Sequence, residues 1–305
     1  MSSKSTDVAV SERLDRAALK RGIPVTINLT LALVLALLHI AVLVAVPLGL
    51  VPGPAAVLLL AATALASTPM WALIHECIHG LGHPAKAVNA GLGRSLSILH
   101  GTPFRLLRHG HLHHHRTSRE PGDRTEVFDP AELSVTVARL AYYARLLGGL
   151  YALEVVANLL LWLPRRLLYR VVRGMHPGGA DDAGFGHAER ELLTPTALRE
   201  LRLDALTVLV VYAAAFWLYG DAWWMLALVL AWRALSISLL DNSFHYATPL
   251  DQRFYATNLR LPGWAARAML NFNMHRTHHR NVALPWARLP ERHEYGAGDC
   301  SFLVG

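Results

Sequence analysis

The feature that most limits what this chain can become is an apolar run at residues 25–46, VTINLTLALVLALLHIAVLVAV, with no formally charged residue. A helix needs about 20 apolar residues to cross a bilayer, and only helices or closed barrels satisfy their own backbone there. The run therefore predicts a membrane span. Residues 55–74, 203–219 and 222–240 are also long apolar runs. The whole chain is 53% hydrophobic and 17% charged, the balance of a protein that meets lipid over much of its surface. The predicted fold is an all-α integral membrane protein with about four transmembrane helices, interfacial helices and a histidine-rich cytosolic cap. Residues 1–24 are polar for longer than the start of a cleaved signal peptide, so the first run reads as a retained span.

Charge placement orients the spans. Lys4, Arg13, Arg16, Lys20 and Arg21 precede the first, and Lys86, Arg94, Arg105 and Arg108 follow the second, which puts both regions on the cytoplasmic side. Residues 47–54, PLGLVPGP, make the turn on the far side, and Pro69 is placed to kink the second span. Residues 131–163 are apolar but carry Arg139, Arg145 and Glu154, and read as an amphipathic helix lying at the interface. Residues 173–190 read as an exposed loop, with His176 and His187 at the surface. Arg233, inside the fourth run, is expected either on a protruding part of its helix or paired with a carboxylate. The chain reads as one domain, 1–305: a cytosolic tail (1–24), spans with the interfacial helix (25–240) and a cytosolic C-terminal part (241–305). A multi-pass protein of a bacterial-type cytoplasmic membrane, with both termini inside, is expected.

The net charge of +7 sits on segments that flank apolar runs, the footprint of an anionic leaflet or an acidic partner rather than of nucleic acid. Two cysteines, Cys77 and Cys300, are too few for a disulfide framework, and Cys77 reads as a small buried filler.

Against this background stands a dense patch at residues 108–116, RHGHLHHHR, with histidines at 109, 111, 113, 114 and 115. In a helix His111, His114 and His115 share one face, so their imidazoles converge. His275, His278 and His279 repeat the spacing, and His75 and His79 in HECIH lie one turn apart. Eight such imidazoles, with His245 a possible ninth, exceed the four ligands of one tetrahedral zinc, so two metals fit better. For redox chemistry a dinuclear iron centre is the obvious candidate, because zinc cannot change oxidation state. If the boxes build one site, an even number of crossings separates them, a second reason to keep residues 131–163 out of the bilayer core. Glu76 and Asp123 are candidates to orient ligand imidazoles, as is His113 for a supporting role beside them. His39, alone in the first span, reads as a helix–helix hydrogen-bonding residue, and His83, His100 and His109 as supporting or surface residues.

The three boxes, HECIH, HLHHHR and HRTHH, in this order and separated by paired spans, resemble those of the membrane fatty acid desaturase and hydroxylase superfamily over residues 25–290. That resemblance implies a four-span protein with cytosolic boxes, two non-haem irons, dioxygen as co-substrate and attack on an unactivated C–H bond. Carried over by position, the ligands are His75, His79, His111, His114, His115, His275, His278 and His279. A further ligand is His245, which follows the last span. The family's asparagine four residues before that histidine is replaced by Asp241, with Asn242 beside it, so either is a candidate supporting residue.

The implied activity is a fatty acyl desaturase. A hydroxylase or acetylenase on an acyl chain, carotenoid or other lipid is the alternative within the superfamily. Its substrate would be an acyl lipid, acyl-CoA or acyl carrier protein. Without a haem, flavin or iron–sulfur motif, electrons would come from a ferredoxin- or rubredoxin-type donor with its reductase. A rival reading takes His75, Glu76 and His79 as the HExxH motif of an intramembrane zinc metalloprotease, with Glu76 as base and Asp241 as an extra ligand.

Overall fold

A computed structural model describes residues 22–120, 123–124, 126–175, 183–252, 255–293 and 299–301. Helix α1 (Val25–Ile40) continues through a π turn (Ala41–Ala45) and forms the first apolar rod. It starts at the end of the bundle that carries the histidine boxes, where Asn28 donates to the Gly82 carbonyl at 3.0 Å. It ends at the far side, where the Val42 carbonyl accepts from the Tyr219 hydroxyl at 2.8 Å. Helices α2 (Gly53–Leu65) and α3 (Ser67–Ile78) bring the chain back, bent by 44°. The bend falls at Ala66, not at Pro69. A proline ring crowds the carbonyl four residues before it, here Leu65, so the distortion appears upstream.

Helices α4 (Lys86–His100) and α5 (Phe104–Thr117) form a hairpin that dips into the bundle and returns. Gly101 closes α4 at φ +108°, a left-handed conformation that glycine supplies readily, and an added Cβ would sit 2.8 Å from the Tyr151 hydroxyl. Backbone carbonyls at this tip are buried away from water and need partners. Tyr212 donates to Leu99 at 2.5 Å, Arg233 Nη1 to His100 at 2.8 Å, Tyr151 also to His100, and Asn158 to Gly101 at 2.9 Å.

Arg233 is thus neither protruding nor paired with a carboxylate. Its guanidinium, 1% exposed, caps the end of α4 and also meets the hydroxyls of Tyr151 and Tyr212 and Nε2 of His39. His39 makes the expected helix–helix bond.

Helix α6 (Val135–Ala144) and α7 (Leu150–Leu160) depart from the single interfacial helix expected at 131–163. The chain breaks at Leu147–Gly148, where Gly148 has φ +116°. As one unit Val135–Leu160 is long and apolar enough to cross a membrane. Its contacts run otherwise: Tyr142 bonds Asn242 at the histidine end, Tyr151 reaches the level of Arg233, and the Leu161 carbonyl accepts from Arg202 back at the histidine end.

Helix α8 (Arg165–Gly174) is amphipathic, burying Leu168. The expected loop at 173–190 is helical from Ala183 to Ala188 (α9), with Phe185 and Ala188 buried; His176 lies outside the described residues. His187 is half-buried rather than exposed, its ring stacked 5.8 Å from His109.

Helices α10 (Pro195–Tyr219) and α11 (Trp223–His245) fold back on each other at Gly220–Ala222. Tyr212 and Arg233 touch at 3.1 Å although 21 residues apart, a separation of about 30 Å in a straight helix. Short helices α12 (Gly263–Ala268) and α13 (His275–Arg280) complete the histidine end. A two-residue parallel pairing of Leu259–Arg260 with Cys300–Ser301 is the sheet among the described residues. Leu33, Leu37, Leu58, Trp217 and Leu228 point outward from the rods, where a soluble protein would expose a polar face. The protein is an all-α membrane protein: among the described residues three helical stretches, Val25–Ala45, Val135–Leu160 and Pro195–His245 (the α10–α11 hairpin taken together), are long and apolar enough to span, or four when the bent pair α2–α3 counts as one.

Candidate metal centre

Four helices bring their histidines to one place. His75 lies in the last turn of α3 with His79 at its cap, His111, His114 and His115 on one face of α5, His245 at the end of α11, and His275, His278 and His279 on α13. Their nitrogens fall into two groups, within each of which every offered atom lies within 4.8 Å of every other: His75, His79, His111, His115 and His278, then His114, His245, His275 and His279. The groups adjoin, since His115 and His279 rings are 4.4 Å apart.

Separations within the cage have a simple geometric reading. Nε2 of His111 lies 3.0 Å from that of His79 and 2.9 Å from that of His115, and His115 lies 3.1 Å from His278. His275 and His279 are 3.1 Å apart, and His114 and His279 3.4 Å. Two nitrogens about 2.1 Å from a shared ion at angles between 90° and 109° are separated by about 3.0–3.4 Å. Nε2 of His75 is buried with no protein partner, as expected of an atom that faces a metal, and His245, with both nitrogens unpartnered, has one to offer in the same way.

Burial sets the charge of these rings. His111, His275, His278 and His279 titrate well below the usual imidazole range because the cage is desolvated and neighbouring imidazoles repel a second charge. Burial also takes His79 down to about 3, helped by Arg108, and His115 to about 2, helped by His79. They are neutral at physiological pH, the form that ligates. His114 is the exception: burial disfavours its charge, but the hydrogen bond and charge of Asp123 outweigh this and raise it.

Asp123 Oδ1 accepts from Nδ1 of His114 at 2.8 Å, which leaves Nε2 facing the cage. Glu76 stands elsewhere: Oε2 accepts from the Trp286 backbone N–H at 3.1 Å, and Oε1 is 4.0 Å from His75 Nδ1, beyond hydrogen bonding. Asp241 is held by Arg145 at 2.9 Å and Asn242 Oδ1 by the Tyr142 hydroxyl at 3.0 Å; neither joins an imidazole group. The protease reading therefore lacks its proposed extra ligand, and one oxygen of its base is committed to the Trp286 backbone. His113 stacks on His109, away from the cage.

Three supporting residues had no signal in the sequence. Buried Arg119 donates to the carbonyls of His245 and Thr248 and to Glu126, tying the second box to the end of α11. Asn258 accepts from the backbone N–H groups of Arg276 and Thr277, capping the first turn of α13. Arg276 pairs with Asp299 at 2.5 Å.

Two of the cavities that reach the cage lie on opposite sides of it. On the solvent side a cleft of about 680 Å³ is lined by His79, His115, His279, Arg116, Tyr255 and Arg280. On the membrane side lies a cavity of about 40 Å³ between Trp71, His111, His114, His275, Phe244 and Glu154.

Comparison with known families matches the fatty acid desaturase pattern to residues 48–302. The chain belongs to the fatty acid desaturase family. No curated protein and no solved structure matches it. The desaturase family match and the two imidazole groups make it an oxidoreductase of that superfamily with a site able to hold metal, in a membrane protein whose family acts on lipid.

Proposed function

We propose that the chain, as a single domain over residues 1–305, is a membrane di-iron, oxygen-dependent fatty acyl desaturase. The five-membered group would hold one iron and the four-membered group the other, an all-imidazole set that suits iron and leaves no carboxylate to be accounted for. Such a pair supplies the redox chemistry that activates dioxygen. In balance, the acyl chain gives up two hydrogens, and dioxygen with two electrons and two protons from an external donor ends as two waters.

The chain's own residues do the positioning. Asp123 fixes the His114 tautomer and ring plane. Trp71, Ile237, Leu240, Phe244 and Phe272 line the membrane side of the cage with apolar surface that would hold methylenes and exclude water. The imidazole end and both termini would face the cytoplasm, with two spans between the second and third boxes. A ferredoxin- or rubredoxin-type donor with its reductase would deliver the electrons there, and the acyl group would arrive as a lipid, on coenzyme A or on a carrier protein.

One observation carries this reading: imidazoles from four helices, spread over two hundred residues of sequence, converge in two adjoining groups. Hydroxylation or acetylene formation on a fatty acyl chain, carotenoid or other lipid is the alternative within the same superfamily. The test is expression with a matched reductase, with metal analysis and mass spectrometry of the lipids. Two irons per chain and loss of two hydrogens from an acyl chain are expected; one zinc per chain would overturn the proposal, and gain of one oxygen would select the hydroxylase.

A further inference from the structure

The membrane-side cavity contains a residue that a plain hydrocarbon does not explain. Helix α7 buries Tyr151 and Asn158 and, at the same helical spacing, turns the half-buried Glu154 towards the cavity, while Leu153, Val156 and Leu159 face out. Tyr151 and Asn158 have their partners, the carbonyls of His100 and Gly101. Glu154 does not: its Oε2 is buried with no hydrogen-bond partner. It lines the same cavity as His111, His114 and His275, whose remaining walls are Trp71, Leu150, Ile237, Leu240, Phe244 and Phe272, with Asp241 already engaged by Arg145. Leaving a carboxyl oxygen unpaired among such groups costs free energy in the empty site and more against a bound methylene chain. A group bonded to it would be a near neighbour of the reacting carbon, because about 40 Å³ of water-accessible space holds only about three water-sized groups.

We propose that Glu154 anchors a hydroxyl group on the substrate, so that this protein acts on an acyl chain hydroxylated within a few carbons of the position it oxidises. This rests on the acyl-chain reading above and narrows its substrate class. The hydroxyl would donate to Glu154 Oε2, and the space between the apolar walls would take the carbon that carries it and about one neighbour. A site that hydrogen-bonds a substrate hydroxyl rejects the analogue lacking it, since the protein's own polar atom is then buried unpaired.

The test uses the full chain in lipid nanodiscs, with octadecanoic acid and a series of its mid-chain hydroxylated forms as probes. Binding is read by displacement of a fluorescent fatty acid from the metal-free protein, and turnover from the iron-loaded protein with its reductase. One hydroxyl position should bind about tenfold to a hundredfold more tightly than octadecanoic acid, the scale of one hydrogen bond to a carboxylate. Glu154→Leu, which removes the orphaned oxygen and so should not harm folding, is expected to abolish that preference and tighten binding of the plain chain. Glu154→Gln, which keeps an acceptor, should retain part of it. Equal binding of all probes by the native protein, or a preference unchanged in Glu154→Leu, overturns the proposal. So does a fall in turnover of every probe in both variants with binding unmoved, which would assign Glu154 to the oxygen chemistry. If the preference appears and Glu154→Leu removes it while no probe is oxidised, the anchor stands and the desaturase reading fails.

Discussion

Arg233 donates through Nη2 to Nε2 of His39, 2.9 Å away, in the middle of the helical bundle. Nδ1 of the same ring lies 2.8 Å from the Leu35 carbonyl, which can only accept, so His39 is neutral with its proton on Nδ1 and offers Nε2 as acceptor. The cation is distributed over carbonyls, hydroxyls and an imidazole instead of a carboxylate, and it joins α1, the tip of α4, α7, α10 and α11. Its removal leaves several buried acceptors unsatisfied. Arg233→Met is expected to destabilise the folded protein by about 3 kcal/mol or more. Arg233→Lys, whose single ammonium cannot reach both the His100 carbonyl and His39, should fall between. Thermal unfolding in detergent checks this, and a Met variant as stable as the native protein would refute the capping role.

Asp123 acts on the cage through His114. Asp123→Asn keeps the shape and loses the charge, and can present an amide N–H to Nδ1, which would turn the proton of His114 towards the cage. The expected result is a 10- to 100-fold weaker hold on the second metal, the usual cost of losing such a partner. Iron titration should show one site bound as before and one weakened. Equal weakening of both sites would mean that Asp123 supports the whole cage.

Glu76 separates the two readings of HECIH. Its carboxylate receives the Trp286 backbone N–H, and the amide oxygen of Gln can do the same. Glu76→Gln should therefore keep both irons and most of the oxidase activity, where a metalloprotease would lose its base and all turnover. Complete loss of oxidation with metal retained would assign Glu76 a chemical role that its position here does not predict.

Acidification should unfold the metal-free protein, and the direction follows from the imidazoles. His79, His111, His115, His275, His278 and His279 all titrate below the unfolded value of 6.5. As pH drops below that value the unfolded chain takes up protons that the folded cage refuses, so stability is lost. His114 works the other way: its raised value gives stability that is present below 6.5 and fades as pH rises through the folded value. Six rings outweigh one. Tm of the metal-free protein should fall by several degrees from about pH 7 to about pH 5.5, and a rise over that window would contradict the burial of the cage.

Much of this was readable because membrane spans and ligand faces both leave periodic marks. The apolar runs gave α1, the bent pair α2–α3 and the α10–α11 hairpin, and the i, i+3, i+4 spacing grouped the imidazoles that the structure brings together. What escaped depends on contacts between distant helices. Residues 86–117 carry Lys86, Arg94, Arg105 and Arg108, so their dip into the bundle is invisible until Arg233 and the tyrosines are seen capping it. The bend in residues 131–163 had its mark, the Gly148–Gly149 pair, but a glycine pair alone does not say how deep the chain goes. Asp241 and Asn242 could not be sorted by position because their partners, Arg145 and Tyr142, approach from another helix.

Gly93 tests how tightly the first two boxes are coupled. It lies in α4 where α3 and α5 both approach, and an added Cβ would stand 2.5 Å from the Phe104 ring and 2.9 Å from Cys77 Cβ. Phe104 opens the helix that carries His111, His114 and His115, and Cys77 lies between His75 and His79. With no room on either side, Gly93→Ala has to push the two boxes apart. The cost of such overpacking is about 1–3 kcal/mol, and since His79 and His111 approach within 3.0 Å the five-membered group should lose metal first. Adding Phe104→Leu makes space and should restore both stability and iron content, a rescue that a general folding defect would not show. If Gly93→Ala alone leaves iron content unchanged, the contact between α3, α4 and α5 does not set the spacing of the cage.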